Sequence, residues 1–247
     1  MKVGVRLSWR DILANRDDYR IFFADTPVQI FFNRFKEFDD TYLIDILSVL
    51  DENFNNLVSL RVPLDSHLPE ERLEENLEKA AYLASEIDAE YISIPSHRSL
   101  LENEGLLIRV HDLLASYKVK LCLESVNLLT EKDVFTKLMD FPRGVFKLCY
   151  DIGRKVAEGL GENEMLNEMY EIMGLLKLVY IPSREDNSHL QKTNRPVNIP
   201  LILEKLGDHL MDVLIIIDTP KATREDLIFL RGIEEKILSI LEKRAFL

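Results

Sequence analysis

The sequence predicts a single-domain α/β protein, a TIM (β/α)8 barrel spanning residues 1–247. Three observations carry this. Eight short apolar runs alternate with amphipathic stretches over 247 residues, the size and rhythm of a closed barrel. Three of the runs end in an acid: Lys120-Leu-Cys-Leu-Glu124, Phe146-Lys-Leu-Cys-Tyr-Asp151 and Leu214-Ile-Ile-Ile-Asp218. A carboxylate ending a buried strand is costly unless it meets a metal, a cation or a hydrogen-bond network, so the three acids point to one end of a barrel. Finally, only 9 glycines are present and no Gly-rich turn follows an early strand, which disfavours the alternative, a doubly wound open sheet.

The strands are expected, in order, at Lys2–Leu7, Val28–Asn33, Leu57–Pro63, Glu90–Pro95, Lys118–Ser125, Phe146–Asp151, Leu176–Pro182 and Val213–Asp218. The segment between the first two, Trp9–Thr26, is polar, and its Ile21-Phe22-Phe23 reads as a short strand or a helix end. Trp9 suits either the pocket edge or the core. Leu73, Leu77, Ala80, Ala84 and Ile87 recur at helical spacing and place a helix over Pro69–Ile87, with Pro69, Glu70 and Glu71 opening its first turn. Thr223 with Asp226 three residues on is a capping-box-like start for the last helix, whose apolar face holds Leu227, Leu230, Ile233, Ile237 and Leu241.

Side chains alternate along a strand, and the parity is informative. Val3, Val5 and Leu7 oppose Gly4 and Arg6. Val28, Ile30 and Phe32 oppose Gln29, Phe31 and Asn33. Leu60 and Val62 oppose Ser59, Arg61 and Pro63, and Ile92 and Ile94 oppose Ser93 and Pro95. With the aliphatic faces against helices, the lumen receives small residues low down. Arg6, Asn33, Arg61, Glu124, Asp151 and Asp218 then gather near the C-terminal mouth, where TIM-barrel sites are built. Cys122 and Cys149 share a face with their acids, one layer deeper. They read as buried thiols filling a tight interior, or as a redox pair or soft metal ligands.

The chain is 47% hydrophobic and carries a net charge of −12. That field repels nucleic acid and anionic membranes. The sequence starts directly with a strand, lacks a signal-like apolar segment and has no run long enough to span a bilayer, so a cytoplasmic location is expected.

Glu124, Asp151 and Asp218 suit a hard divalent cation such as Mg²⁺ or Mn²⁺, or Zn²⁺ with histidines. The competing reading pairs them with Arg6, Arg61, Arg154 and Arg184, all at or just beyond strand ends. His97, after the fourth strand, reads as a base or ligand at the mouth. His189 reads as a metal ligand or a surface histidine. It lies in the polar stretch Ser183–Arg195, which suits a lid. His67, His111 and His209 read as structural.

The residues in this order resemble the xylose isomerase-like TIM barrels, which include apurinic endonuclease IV and the sugar-phosphate isomerases and epimerases. Leu121-Cys-Leu-Glu124 looks like that family's fifth-strand metal glutamate, Asp151-Ile-Gly-Arg154 like its Asp-x-x-His signature, and Asp218-Thr219-Pro220 like its final acid before Thr-Pro. The departures fall on histidines: Arg61, Pro95, Arg154 and Tyr180 stand where the family pattern has them.

The resemblance implies a sugar or sugar-phosphate isomerase or epimerase. Glu124 and Asp218 would be the catalytic acids or metal ligands, with Asp151 and His189 completing a metal set. Arg6, Arg61, Arg154, Arg184 and His97 would hold the substrate. The cofactor would be Mn²⁺, Mg²⁺ or Zn²⁺, or none, with guanidinium groups stabilising the charge instead. Two alternatives stand beside it: a non-catalytic barrel that binds an anion or a partner, and a metal-dependent nuclease, which the acidity and missing histidines oppose.

Overall fold

The computed structural model describes residues 2–15, 23, 26–32, 57–63, 68–124, 132–141, 144–182, 197–218 and 223–245. Eight strands close into a barrel in sequence order: β1 (Lys2–Ser8), β2 (Val28–Phe31), β3 (Leu57–Arg61), β4 (Tyr91–Pro95), β5 (Lys120–Glu124), β6 (Phe146–Asp151), β7 (Leu176–Pro182) and β8 (Leu214–Asp218). All pairings are parallel, and β1 closes the ring on β8 with Val3 opposite Ile215 and Val5 opposite Ile217. Closure rules out the open sheet, which would leave two unpaired edges. Strand β2 ends at Phe31, so the expected Asn33 lies outside the described residues.

The described helices are α1 (Trp9–Ala14), α2 (Glu70–Glu86), α3 (Arg98–Glu102), α4 (Glu104–Tyr117), α5 (Lys132–Asp140), α6 (Ile152–Ala157), α7 (Glu162–Glu171), α8 (Ile199–Leu206) and α9 (Arg224–Ala245). Helix α2 buries the expected stripe of Leu73, Leu77, Ala80 and Ala84. Helix α9 starts as its sequence indicates: Thr223 N donates to Asp226 Oδ2 at 3.0 Å, and Asp226 N donates to Thr223 Oγ1 at 3.3 Å. Trp9 begins α1 and is buried, 6.4 Å ring to ring from Phe32, so it serves the core.

Alternation divides the apolar residues into two clusters. Val5, Leu7, Val28, Ile30, Leu60, Ile92, Ile94, Leu121, Leu123, Leu148, Val179, Ile181, Ile215 and Ile217 join the helices in the large outer core. Each such side chain contributes roughly 1.5–3 kcal/mol on burial. Tyr91, Cys122, Cys149, Leu178, Tyr180, Leu214 and Ile216 form a separate cluster inside the lumen. The cysteines are free thiols in this second cluster, and burial pushes the Cys149 thiol well above its ordinary value. A reactive thiolate is favoured by the opposite environment, so packing is the reading the geometry supports.

Backbone approach also constrains the lumen. A Cβ on Gly4 would stand 2.2 Å from the carbonyl oxygen of Pro27, which accepts a 3.0 Å hydrogen bond from Val5 N. Glycine at this position lets the start of β2 close onto β1, one turn of alternation below Arg6.

Candidate functional site

The upper lumen holds a layer of polar side chains that begins with Arg6. Its side chain is 5% exposed, and its guanidinium carbon lies 4.2 Å from the centre of the Tyr180 ring. Arg6 Nε donates to Gln29 Oε1 at 2.8 Å, and Nη1 pairs with Asp218 Oδ1 at the end of β8. Gln29, fully buried on β2, turns its amide nitrogen inward, 3.0 Å from Ser59 Oγ, 3.4 Å from Ser93 Oγ and 3.2 Å from Tyr180 Oη.

The Tyr180 hydroxyl lies 2.9 Å from Ser93 Oγ and 3.0 Å from Glu124 Oε1. It has one proton, and a carboxylate is the stronger acceptor. Tyr180 therefore donates to Glu124, and the Ser93 hydroxyl turns to donate to Tyr180. Burial, followed by the neighbouring Cys149 and Glu124, raises the Tyr180 pKa well above its usual range, so the hydroxyl stays protonated.

Glu124 closes the layer. Arg61 Nε donates to its Oε1 at 2.9 Å, and Arg61 Nη2 to its Oε2 at 2.9 Å, the bidentate fork that suits a guanidinium and a carboxylate. Burial pushes the Glu124 pKa up, but Arg61 and Arg6, with the hydrogen bonds of Arg61 and Tyr180, overcome it and hold it below the ordinary carboxylate value. Arg61 is raised: burial opposes this most, and the Glu124 charge and hydrogen bonds, with smaller contributions from Tyr180 and Asp218, together overcome it.

Asp151 differs. It ends β6, and its Oδ1 accepts the backbone N–H of Arg154 at 2.9 Å, which makes it the N-cap of α6. Burial raises its pKa, the Arg154 N–H opposes that, and the nearby Asp218 charge raises it further. Asp151 and Asp218 therefore feel each other as like charges at the mouth.

The expected site residues separate accordingly. Arg6, Arg61, Glu124, Asp151 and Asp218 converge on one end of the lumen. Arg154 joins through its backbone only: its side chain is exposed and pairs with Glu158 on the same helix at 3.0 Å. His97 is buried at the start of α3, two residues past β4. Arg184, His189 and the rest of Ser183–Arg195 lie outside the described residues, as do His67 and Thr219-Pro220. The sequence reading missed Tyr180 and Gln29 as parts of the site. Their parity was the available signal: both oppose aliphatic faces of their strands.

A divalent cation does not fit this set. Such ions take three or more oxygen, nitrogen or sulfur ligands from protein and solvent. Both oxygens of Glu124 are spent on Arg61, and Asp218 is engaged by Arg6, so a dication would have to sit against two guanidinium groups. Among the described residues no three His, Cys, Asp or Glu side chains converge in a way that could hold a metal.

No protein-family model matches the sequence, and no curated protein matches it. Solved structures do match along the whole chain. A D-tagatose 3-epimerase-like protein superimposes with a TM-score of 0.69 at 16% identity, covering 99% of this chain and 100% of the other. A xylose isomerase domain protein from Planctomyces limnophilus gives 0.67 at 12% identity, covering 96% and 98%. A sugar phosphate isomerase/epimerase from Parabacteroides distasonis gives 0.61 at 14% identity, covering 97% and 96%. The chain thus has the fold of the xylose isomerase-like barrels its sequence resembles.

Proposed function

We propose that the protein transfers a proton next to a sugar carbonyl, as an isomerase or epimerase acting on a small sugar at the C-terminal mouth. The observation that carries this reading is the pair Asp151 and Asp218 at the rim of a layer fixed by two guanidinium groups. Asp151 carries no guanidinium partner among the described contacts and has a raised pKa, which suits a group that gives and takes a proton. Asp218 is 41% exposed on its side chain and stands where substrate would enter. Glu124, expected as a catalytic acid, fits a positioning role better, since its oxygens are already held by Arg61 and Tyr180. The likeness to sugar epimerases and isomerases supports the substrate class.

Proton transfer would leave an enediolate, and Arg6 and Arg61 supply the positive charge next to it. The test is incorporation of solvent deuterium beside the carbonyl of D-fructose or D-tagatose in D₂O, followed by NMR. The wild type should incorporate it, and Asp151→Asn and Asp218→Asn should each slow incorporation about 10²-fold or more. Full exchange in both variants sinks the assignment.

The arginine–acid pairs favour a second reading, a barrel that binds without catalysis, because paired charges need no substrate to be satisfied. That reading expects sugar binding with no deuterium incorporation by the wild type.

A further inference from the structure

Arg6 Nη2 is buried and meets no hydrogen-bond partner among the described residues. This orphan sits on a side chain that is otherwise tightly held: Nε on Gln29, Nη1 on Asp218, and the guanidinium carbon 4.2 Å from the Tyr180 ring centre. A buried, unmet donor on a charged group is costly, and native interiors rarely leave one without a reason. Its orientation is fixed by the chemistry of the group. In a planar guanidinium Nη2 shares one edge with Nε and the other with Nη1. The open N–H groups therefore lie between the Gln29 side and the Asp218 side, within the plane the two partners impose.

From this we infer that Arg6 Nη2 is the subsite for a ligand oxygen: the carbonyl oxygen of an α-hydroxycarbonyl compound, and the enediolate oxygen formed from it. The inference rests on the proposed proton-transfer reading and deepens it. The described acids do not fit a divalent cation, and a pinned guanidinium supplies positive charge at this depth instead. The step balances without a further reagent. A carboxylate at the rim takes the proton from the carbon beside the carbonyl. The C–H electron pair becomes part of the enediolate, whose developing negative oxygen faces Nη2. For an epimer, a proton is delivered to the opposite face of the same carbon and the carbonyl re-forms; for an isomer, it is delivered to the former carbonyl carbon while the proton of the adjacent hydroxyl passes to the enediolate oxygen, and the carbonyl re-forms at the neighbouring carbon. Asp218, bound to the neighbouring Nη1, holds the plane of Arg6 and lies beside the same ligand oxygen. Lysine at position 6 would keep the charge but could not serve Gln29, Asp218 and a ligand from one plane.

The probe is glycolohydroxamate, a planar enediolate mimic, titrated by calorimetry into the full chain in excess EDTA, with metal content measured on the same sample. Binding is expected without metal, and Arg6→Lys and Arg6→Gln should weaken it about 10- to 100-fold, the weight of one hydrogen bond from a charged donor. Binding that requires added Mn²⁺, Mg²⁺ or Zn²⁺, or that folded Arg6 variants retain in full, overturns the inference. Should neither variant fold, ¹⁵N-arginine-labelled wild type decides: a buried guanidinium signal that shifts and slows its exchange on ligand addition supports the subsite, and unchanged signals overturn it. Deuterium incorporation into D-fructose and D-tagatose, run in parallel, separates the two claims. Arg6-dependent hydroxamate binding without incorporation keeps the subsite and removes the isomerase reading. Incorporation that survives Arg6→Lys with unchanged KM keeps the isomerase reading and removes the subsite.

Discussion

Glu124 and Asp151 end neighbouring strands of one barrel, face the same lumen, and behave in opposite ways. Glu124 meets a guanidinium fork and a tyrosine hydroxyl, and its pKa falls below the ordinary range despite burial. Asp151 meets one backbone N–H and no guanidinium fork; burial first, and then the Asp218 charge, raise its pKa against that N–H and the more weakly acting charge of Arg6. Glu124 is buried and Asp151 only half-buried, yet it is the more deeply buried acid whose pKa falls, so burial does not set them apart. The partner does. A buried carboxylate with both oxygens held by a guanidinium fork is a fixed part of the scaffold, whereas one facing another carboxylate remains able to exchange a proton. In the proposed function, Glu124 would hold the site and Asp151 would carry the proton.

The largest effect expected from breaking this division is at Arg61. Removing it as Arg61→Met leaves buried Glu124 with the Tyr180 hydroxyl as its remaining hydrogen-bond donor among the described residues. Loss of one partner of a buried pair costs about 3–5 kcal/mol, and the 30% exposure of the Arg61 side chain places this one toward the lower end. Urea unfolding should show the loss as a lower midpoint at constant slope. In the variant Glu124 should also take up a proton more readily and come to resemble Asp151. A stability loss below about 1 kcal/mol would mean the fork is not what holds Glu124.

A smaller effect is expected one layer deeper. Tyr180→Phe keeps the ring beneath Arg6 and deletes the hydroxyl shared by Gln29, Ser93 and Glu124. The cost should be about 1–3 kcal/mol, the range for leaving buried polar partners short of a hydrogen bond. Combined with Arg61→Met in a double-mutant cycle, the two losses should not add, because both act on Glu124. Strict additivity would show that the layer is a set of separate contacts.

Much of this was legible in the sequence, and the reasons differ by residue. The barrel follows from the alternation of elements, and the convergence of Arg6, Arg61, Glu124, Asp151 and Asp218 follows from period-two parity, which needs no knowledge of contacts. Which acid pairs with which arginine was not legible. Arg61 reaches from β3 to Glu124 on β5, past β4, and Arg6 reaches Asp218 on β8 while stacking on β7. Those choices depend on barrel tilt and side-chain length. Arg154 shows the limit in the other direction: its place after a strand end suggested a substrate anchor, yet in the first turn of α6 its side chain pairs with Glu158 and only its N–H reaches Asp151. Tyr180 was read as a missing histidine. Its hydroxyl in fact joins Ser93, Gln29 and Glu124 across three other strands.

The smallest effect on stability should come from Asp151→Asn. Asparagine caps a helix as well as aspartate does, so α6 keeps its first turn. The sign of the change follows from the raised pKa. Asp151 has a higher pKa folded than unfolded, so its ionised form opposes folding; this penalty is fully present above the folded pKa and disappears as pH falls through the folded pKa to the unfolded one. The variant should therefore be slightly more stable than wild type at neutral pH, by less than about 1 kcal/mol, with the difference vanishing in acid. Glu124→Gln should do the reverse. The folded pKa of Glu124 is depressed, so its contribution is present above the unfolded pKa and lost as pH falls through the folded one. Wild type should exceed that variant near neutrality, and the advantage should fade below the ordinary carboxylate range. Unfolding free energies for both variants from pH 7 to pH 3 would test the contrast directly. Two curves of the same sign would mean that Glu124 and Asp151 are held alike, and the division between a holding acid and a reacting one would not stand.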